Sequence, residues 1–227
     1  MILEDAALSA LRDAYAADRR VRISGALPAE AARAVHAELA AVEGWTLFAA
    51  TGAGTAALDR ATLAGLGEAG RADLLRTLHA EAAEGRGFAY EGVRLGENAG
   101  PPAAERLAAS LSSEAVLGRV RAVTGEPVTA ASAQATRYRP GHYLTRHRDD
   151  PAGETRRVAY VLSLCPRWHP DWGGLLLFFR DDGTPRDAWA PGFASLSLFD
   201  VGHVHSVTAI APFAAAPRLS VTGWFSA

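Results

Sequence analysis

The chain has 227 residues, 49 % of them hydrophobic, which suits one domain with a sizeable buried core. Its formal net charge is −2 and its 23 basic residues, all arginines, are scattered along the sequence, so the electrostatic signature of a nucleic-acid partner is absent. A single cysteine, Cys165, excludes an intrachain disulfide and favours a reducing compartment.

The beginning of the chain, "MILEDAALSALRDAY", is acidic and lacks the basic start and apolar stretch of a signal peptide. No apolar run approaches the length that crosses a bilayer. We therefore expect a cytoplasmic protein without a membrane partner. The sequence carries no pattern that indicates an oligomeric state.

The first half of the chain is predicted to be mostly helical. Alanine, leucine, arginine and glutamate recur at helical spacing, and the first helix begins with Pro28 and ends at Gly44. Helices are predicted over 28–43, 68–84 and 103–124, with short strands over 20–27 and 87–95. Residues 1–125 are thus expected to form a helical support region.

The second half of the chain is predicted to be rich in strands. Short runs of Val, Leu, Phe, Tyr and Trp are broken by turn sequences such as "RPGH" and "DDGTP". Strands are predicted over 130–139, 142–148, 156–164, 174–179, 194–200, 203–210 and 217–225. Many short strands at close spacing indicate a β-sandwich or barrel. The predicted fold is mainly β with α, with the helices as a layer on one sheet, in a single domain of residues 1–227 whose core is 126–227.

The stretch "TRHRDD" at 145–150 contains the first candidate functional residues. A kinase catalytic loop would need an Asn five residues after the Asp, a phosphate-binding Lys and a D-F-G, and the chain has none of these. If the strand extends through this stretch, His147 and Asp149 point to the same face and Asp150 to the other. A histidine and a carboxylate on one face can bind one metal ion, although Arg and Asp beside a turn are more often solvated.

A third metal ligand would have to come from another strand. The stretch "VGHVHSVTAI" supplies His203 and His205, which share a face if extended, so alternation alone does not separate them. Two histidines and one carboxylate with open positions form the ligand set of non-haem Fe(II) oxygenases. Near the end of the chain, Arg218 and Ser220 also share a face, and a buried Arg there would need a carboxylate partner from the protein or from a ligand.

Four stretches, in this order, resemble the catalytic core of the prolyl-hydroxylase-like 2-oxoglutarate/Fe(II) dioxygenases. They are "RYRPGHYLTRHRDD", "RRVAYVLSLCPRWHPDWGGLLLFF", "SLSLFDVGHVHSVTAI" and "RLSVTGWF". The resemblance runs from about residue 130 to the end and implies a double-stranded β-helix, the cupin-like jelly roll. It also implies Fe(II) and 2-oxoglutarate as cofactor and cosubstrate, O₂ as oxidant, and succinate and CO₂ as coproducts. Ascorbate commonly supports enzymes of this kind.

The resemblance assigns roles to individual residues. It makes His147, Asp149 and His205 the iron ligands, since His205 opens the H-x-V of the family. Arg218 would bind the far carboxylate of 2-oxoglutarate, with Ser220 and Tyr138 beside it. The sequence departs from the family where a tyrosine is expected on the strand after H-x-D. That place holds Leu162, so Tyr160, Ser220 or Tyr138 would have to serve instead.

The substrate that the resemblance implies is a prolyl residue in a peptide or protein, hydroxylated at an unactivated carbon. Arg148 and Tyr90 are the candidate substrate-contacting residues. The alternatives are a free amino acid or other small molecule, a non-catalytic jelly-roll module, and a zinc hydrolase. The intact set of His147, Asp149, His205 and Arg218 speaks against a non-catalytic module, and the lack of a nearby Glu base speaks against a zinc hydrolase.

Overall fold

Antiparallel strands dominate the computed structural model, which describes residues 5–52 and 54–227. The α-helices in this part of the chain are α1 (Asp5–Asp18), α2 (Ala29–Ala41), α3 (Arg60–Gly65), α4 (Gly67–Ala83), α5 (Pro102–Leu111) and α6 (Glu114–Thr124). Its first five strands are β1 (Arg20–Ile23), β2 (Thr46–Thr51), β3 (Gly54–Leu58), β4 (Phe88–Leu95) and β5 (Ala130–Ala131). The later strands are β6 (Ala133–Tyr138), β7 (Tyr143–His147), β8 (Arg156–Ser163), β9 (Leu176–Phe179), β10 (Pro185–Trp189), β11 (Ser195–Asp200), β12 (His205–Val207) and β13 (Arg218–Ser226).

The last eight strands form two sets that face each other. The larger set, which β1 extends at its β11 edge, runs in the order β1-β11-β8-β13-β6, and the smaller set runs in the order β7-β12-β9-β10. Because the chain passes between the sets as it proceeds from β6 to β13, the two sets enclose a jelly-roll interior. Strand β4 pairs with β6 and with β7 and so joins the two sets along one side. The prediction of a mainly β fold with helices is confirmed.

The helical layer covers the outer face of the larger set of strands. Side chains from α1, α2, α5 and α6 share one hydrophobic core with alternate residues of the strands. On β13 the residues that face this core are Leu219, Val221 and Phe225. Since side chains alternate along a strand, Arg218 and Ser220 face the jelly-roll interior. The periodicity of this one strand therefore assigns its apolar residues to the core and its polar residues to the site.

A second, smaller group of elements closes the joined side. Strand β2 pairs with β4 and forms a hairpin with β3, and α4 packs over this region through Leu78. Tyr143 on β7 donates a hydrogen bond to the Leu78 carbonyl at 2.6 Å. This contact ties the strand that carries His147 to the helix outside it.

The structure differs from the sequence expectations in three places. The helix predicted over 103–124 is two helices, because Ser113 has an extended backbone (φ −72°, ψ 146°). The support region is not only helical, since β1 and β4 from it extend the main sheet and β2 and β3 form a hairpin on β4. Strand β10 follows the predicted turn "DDGTP" and was not among the predicted strands. No helix of the described residues has the length and hydropathy that a membrane span requires.

Candidate active site

Three potential metal ligands converge inside the jelly roll. His147 is the last residue of β7, Asp149 follows it, and His205 begins β12. The two histidines are direct partners in the antiparallel β7–β12 pair. One ligand atom from each of the three side chains lies within 4.8 Å of the other two. The pairing of β7 with β12 thus brings His205 next to His147 and Asp149, the two residues of the H-x-D motif.

Backbone contacts orient both imidazoles. His147 Nδ1 lies 3.0 Å from the Thr145 carbonyl oxygen, and His205 Nδ1 lies 2.9 Å from the His203 carbonyl oxygen. A ring whose Nδ1–H donates to a carbonyl presents its Nε2 lone pair to a ligand. Both Nε2 atoms lie 3.5 Å from the Asp149 carboxylate. Two imidazole nitrogens and a carboxylate aimed at one point fit a divalent transition metal such as Fe(II).

The electrostatics keep His205 and Asp149 in their metal-binding forms, whereas the pKa of His147, which burial alone would lower, is raised by the Asp149 carboxylate. Burial, together with the nearby His147, lowers the pKa of His205 to about 4, so this imidazole is neutral at neutral pH. Burial alone would raise the pKa of Asp149, but the hydrogen bond from His147 and the neighbouring imidazoles outweigh it, so the pKa is lowered. An ionised carboxylate beside a neutral imidazole is the state in which both groups bind a metal.

The structure separates His203 from His205. The ring of His203 points away from the other two ligands, and its Nε2 lies 3.1 Å from the Asp18 carbonyl oxygen at the end of α1. His203 therefore anchors the loop before β12 to the helical layer. Strand β12 begins only at His205. The geometry therefore places His205, and not His203, beside His147 and Asp149.

Arg218 is a buried cation without an acidic partner in the described part of the chain. Its side chain is 3 % exposed and lies with the three ligand residues in the lining of one cavity of about 190 Å³. Nη1 donates to Ser220 Oγ at 3.0 Å, and the guanidinium lies 5.3 Å from the centre of the Tyr138 ring. Its Nε has no hydrogen-bond acceptor among the described residues. Burying an uncompensated charge is costly, so the arrangement favours an anionic ligand.

Ser220 and Tyr138 surround Arg218 in different ways. Ser220 is fully buried and does not line the cavity, and its hydroxyl lies 3.0 Å from Thr136 Oγ1. It therefore holds the guanidinium in place rather than facing a ligand. Tyr138 does line the cavity, and burial raises the pKa of its phenol, so the hydroxyl stays protonated. Thr136, which also lines the cavity, was not singled out in the sequence because one threonine in a strand carries no distinguishing pattern.

Tyr160 contributes to the cavity lining, but its hydroxyl points to the outer core. Its hydroxyl donates to the Ser132 carbonyl at 2.8 Å, and its ring packs on Phe225 in the outer core. The inward face of β8 carries Val161 and Ser163 instead, one residue out of phase with Tyr160. Of the three residues offered in place of the family tyrosine, Tyr160 is the one whose ring packs on the outward face of the strand.

The two candidate substrate residues lie in different places. Tyr90 is half-buried, lines the cavity, and stacks on Tyr138 with the ring centres 5.3 Å apart. Arg148 is exposed and lines neither this cavity nor the groove beside it. That groove has a volume of about 1220 Å³ and shares Tyr90, Gln134 and Trp224 with the cavity. It runs from the site along α5 towards the turn at residues 153–156.

Comparison with known proteins gives one family and several structural neighbours. Residues 133–226 match the family described as the 2OG-Fe(II) oxygenase superfamily. No curated protein matches the chain. The matched segment contains every candidate ligand and Arg218, and it leaves the helical half of the chain outside.

The structural neighbours cover nearly the whole chain. A prolyl-4-hydroxylase from Pseudomonas putida is 22 % identical with a TM-score of 0.65, over 96 % of this chain and 98 % of that one. A prolyl hydroxylase from Trichoplax adhaerens, solved with a peptide fragment of the hypoxia inducible factor oxygen degradation domain, is 16 % identical with a TM-score of 0.66, over 96 % and 88 %. SnoN, an α-ketoglutarate-dependent epimerase from nogalamycin biosynthesis, is 16 % identical with a TM-score of 0.62, over 98 % and 83 %. These likenesses confirm the jelly-roll fold with its helical layer.

Proposed function

We propose that the protein is a 2-oxoglutarate-dependent dioxygenase that hydroxylates a prolyl residue of a peptide or protein. The match of residues 133–226 to the 2OG-Fe(II) oxygenase superfamily supports this proposal. The observation that carries the proposal is the cavity shared by Arg218 and the three ligand residues. Its two ends have complementary chemistry. One end suits a divalent metal, and the other suits a carboxylate.

Each part of the cavity has a task in this reaction. His147, Asp149 and His205 would hold Fe(II), which as a non-haem iron centre would supply the activation of O₂ with the 2-oxo acid. The bound iron and 2-oxoglutarate supply the oxidising chemistry, with succinate and CO₂ as coproducts. Arg218, held by Ser220, binds the far carboxylate, and the Tyr138 phenol donates beside it. The apolar walls of the cavity, which include Val207, exclude water from the reacting centre.

The proposed substrate follows from the groove and from the neighbours. A groove that leads from the cavity along α5 suits an extended polypeptide, and two neighbours are named as prolyl hydroxylases, one of them with a peptide. Tyr90 lies where groove and cavity meet, so it is the residue that we expect to contact the prolyl ring. The neighbour SnoN acts as an epimerase in a biosynthesis, and this favours a small molecule as the second candidate substrate. We expect ascorbate to support turnover.

Turnover assays test the proposal directly. We expect succinate release that depends on Fe(II), 2-oxoglutarate and O₂ together, and that rises when peptides with a central proline are added. Matched peptides with alanine in place of proline are the control. Free proline and other free amino acids test the second candidate. Succinate release that does not depend on Fe(II) would contradict the dioxygenase assignment.

Gly174 provides a test of the carboxylate end. Its backbone is left-handed (φ +64°), and an added Cβ would lie 2.9 Å from Arg218 Cδ and 2.7 Å from Ile210 Cδ1. We expect Gly174→Ala to displace Arg218 and weaken 2-oxoglutarate binding, as measured by calorimetry. Gly25→Ala is the matched control, because Gly25 has the same φ with open space around it. Both variants should lose about 1–2 kcal/mol of stability through the strained backbone, but only Gly174→Ala should bind 2-oxoglutarate more weakly.

A further inference from the structure

The groove beside the cavity carries two arginines whose charge no residue of the described chain neutralises. Arg94 lies on β4 and Arg106 on α5, and both line the groove with exposed side chains. No ion pair or hydrogen bond joins either guanidinium to another residue within 5–52 and 54–227. By contrast, Arg137 on the neighbouring strand β6 is paired with Glu91. Two cationic groups are therefore available to a ligand that enters the groove.

Most of the acidic side chains of the groove already have partners. Glu105 accepts hydrogen bonds at 2.8 Å from two backbone N–H groups of the loop 96–100. Glu154 is paired with Arg156 at 2.5 Å. Among the described residues that line the groove, Glu97 is the one acid without such a partner, against two such arginines. Since a guanidinium binds a carboxylate through two parallel N–H bonds, the groove favours an acidic ligand.

The position of Arg94 on its strand fixes its distance from the mouth of the cavity. Tyr90 and Arg94 lie four residues apart on β4, so they share one face, with their Cα atoms about 13 Å apart at about 3.3 Å per residue. Gln134, the cross-strand partner of Arg94, lines both the cavity and the groove and so connects the two. An extended peptide also advances by about 3.3–3.6 Å per residue. A peptide residue beside Arg94 is therefore about four residues from one beside Tyr90.

We propose that Arg94 is a specificity-determining residue that binds an acidic side chain of the peptide substrate, about four residues from the prolyl residue at Tyr90. Arg106 adds a second positive charge from the α5 wall of the groove. The inference rests on the proposed function, since it takes the substrate to be a peptide whose prolyl residue contacts Tyr90.

Peptide binding without O₂ tests the inference in the absence of turnover. The probes are fluorescein-labelled peptides with a central proline and one glutamate, placed in turn at each position up to about six residues away on either side. Matched peptides carry glutamine at the same positions. Protein loaded with Fe(II) and 2-oxoglutarate is titrated against each peptide, and fluorescence anisotropy gives the affinity. We expect glutamate about four residues from the proline, on one side of it, to bind about 3- to 10-fold more tightly than glutamine. The preference should fall as the salt concentration rises.

Variants of Arg94 separate a specific ion pair from a general effect of charge. Arg94→Gln should lose the preference for glutamate. Arg33→Gln should keep it, because Arg33 is exposed on α2 and lines neither the groove nor the cavity. Arg94→Glu should reverse it, so that a peptide with lysine at that position binds more tightly than one with glutamate. A loss of packing alone would not reverse the preference, and thermal unfolding verifies that each variant is folded.

Two results would overturn the inference and leave the proposed function standing. One is equal binding of the glutamate and glutamine peptides by the wild type at every position, and the other is a preference that survives in Arg94→Gln. In both cases succinate release that depends on proline peptides would be unaffected. A wild type that binds none of the peptides and releases succinate with a free amino acid would instead remove the peptide substrate, and the inference with it.

Discussion

Arg218→Met should lower the affinity for 2-oxoglutarate by about 10²- to 10⁴-fold while leaving the ligand-free protein as stable as the wild type or more stable. The binding loss follows from two charge-assisted hydrogen bonds, each contributing about 1.5–3 kcal/mol, at about 1.4 kcal/mol per tenfold change. The stability gain follows because the guanidinium is buried without an acidic partner in the described chain. Calorimetry with 2-oxoglutarate and chemical denaturation without it measure the two effects.

Arg137→Met is the control for this prediction. Arg137 is also buried, at 8 % exposure, but its Nε is paired with Glu91 at 2.5 Å. Removing it leaves Glu91 with only the exposed Arg139, at 3.0 Å, as its ion-pair partner. The variant should therefore lose about 1–3 kcal/mol of stability and keep its 2-oxoglutarate affinity unchanged. If Arg218→Met proved as destabilising as Arg137→Met, the claim that Arg218 awaits an anionic ligand would be contradicted.

His205→Ala removes a proposed direct ligand of the metal. Losing only an outer partner of a ligand lowers metal affinity by up to about 100-fold, so we expect this variant to lose more than that. His203→Ala should keep metal affinity close to that of the wild type. The two histidines are separated by one residue, yet the ring of His205 faces Asp149 at 3.5 Å and that of His203 contacts the Asp18 carbonyl at 3.1 Å. Titration with Mn(II) or Co(II) distinguishes them. Equal losses in both variants would contradict the assignment.

The inward and outward faces of the catalytic strands were largely predictable from the sequence. Alternation correctly put His147 with Asp149, and Arg218 with Ser220, on shared faces. Alternation did not decide between His203 and His205. Strand β12 begins only at His205, so the ring of His203 is not constrained by the pleat.

Other features depended on tertiary packing that a single sequence does not encode. The β2–β3 hairpin has an Ala- and Thr-rich sequence with largely exposed side chains on β3, so it shows no hydrophobic alternation. The role of Ser220 depends on where the Arg218 guanidinium lies. The resemblance identified strand β8 but not its phase, and the ring of Tyr160, one of the three residues offered there, packs on the outward face.

The most direct test of the central claim is an anaerobic titration of the metal-free protein with Fe(II) and 2-oxoglutarate, observed in the visible region. We expect a weak charge-transfer band that appears only when both are present, persists in His203→Ala, and is lost in His205→Ala. A wild-type protein that gives no band, or a band that persists unchanged in His205→Ala, would contradict the assignment of this cavity as an Fe(II) and 2-oxoglutarate site.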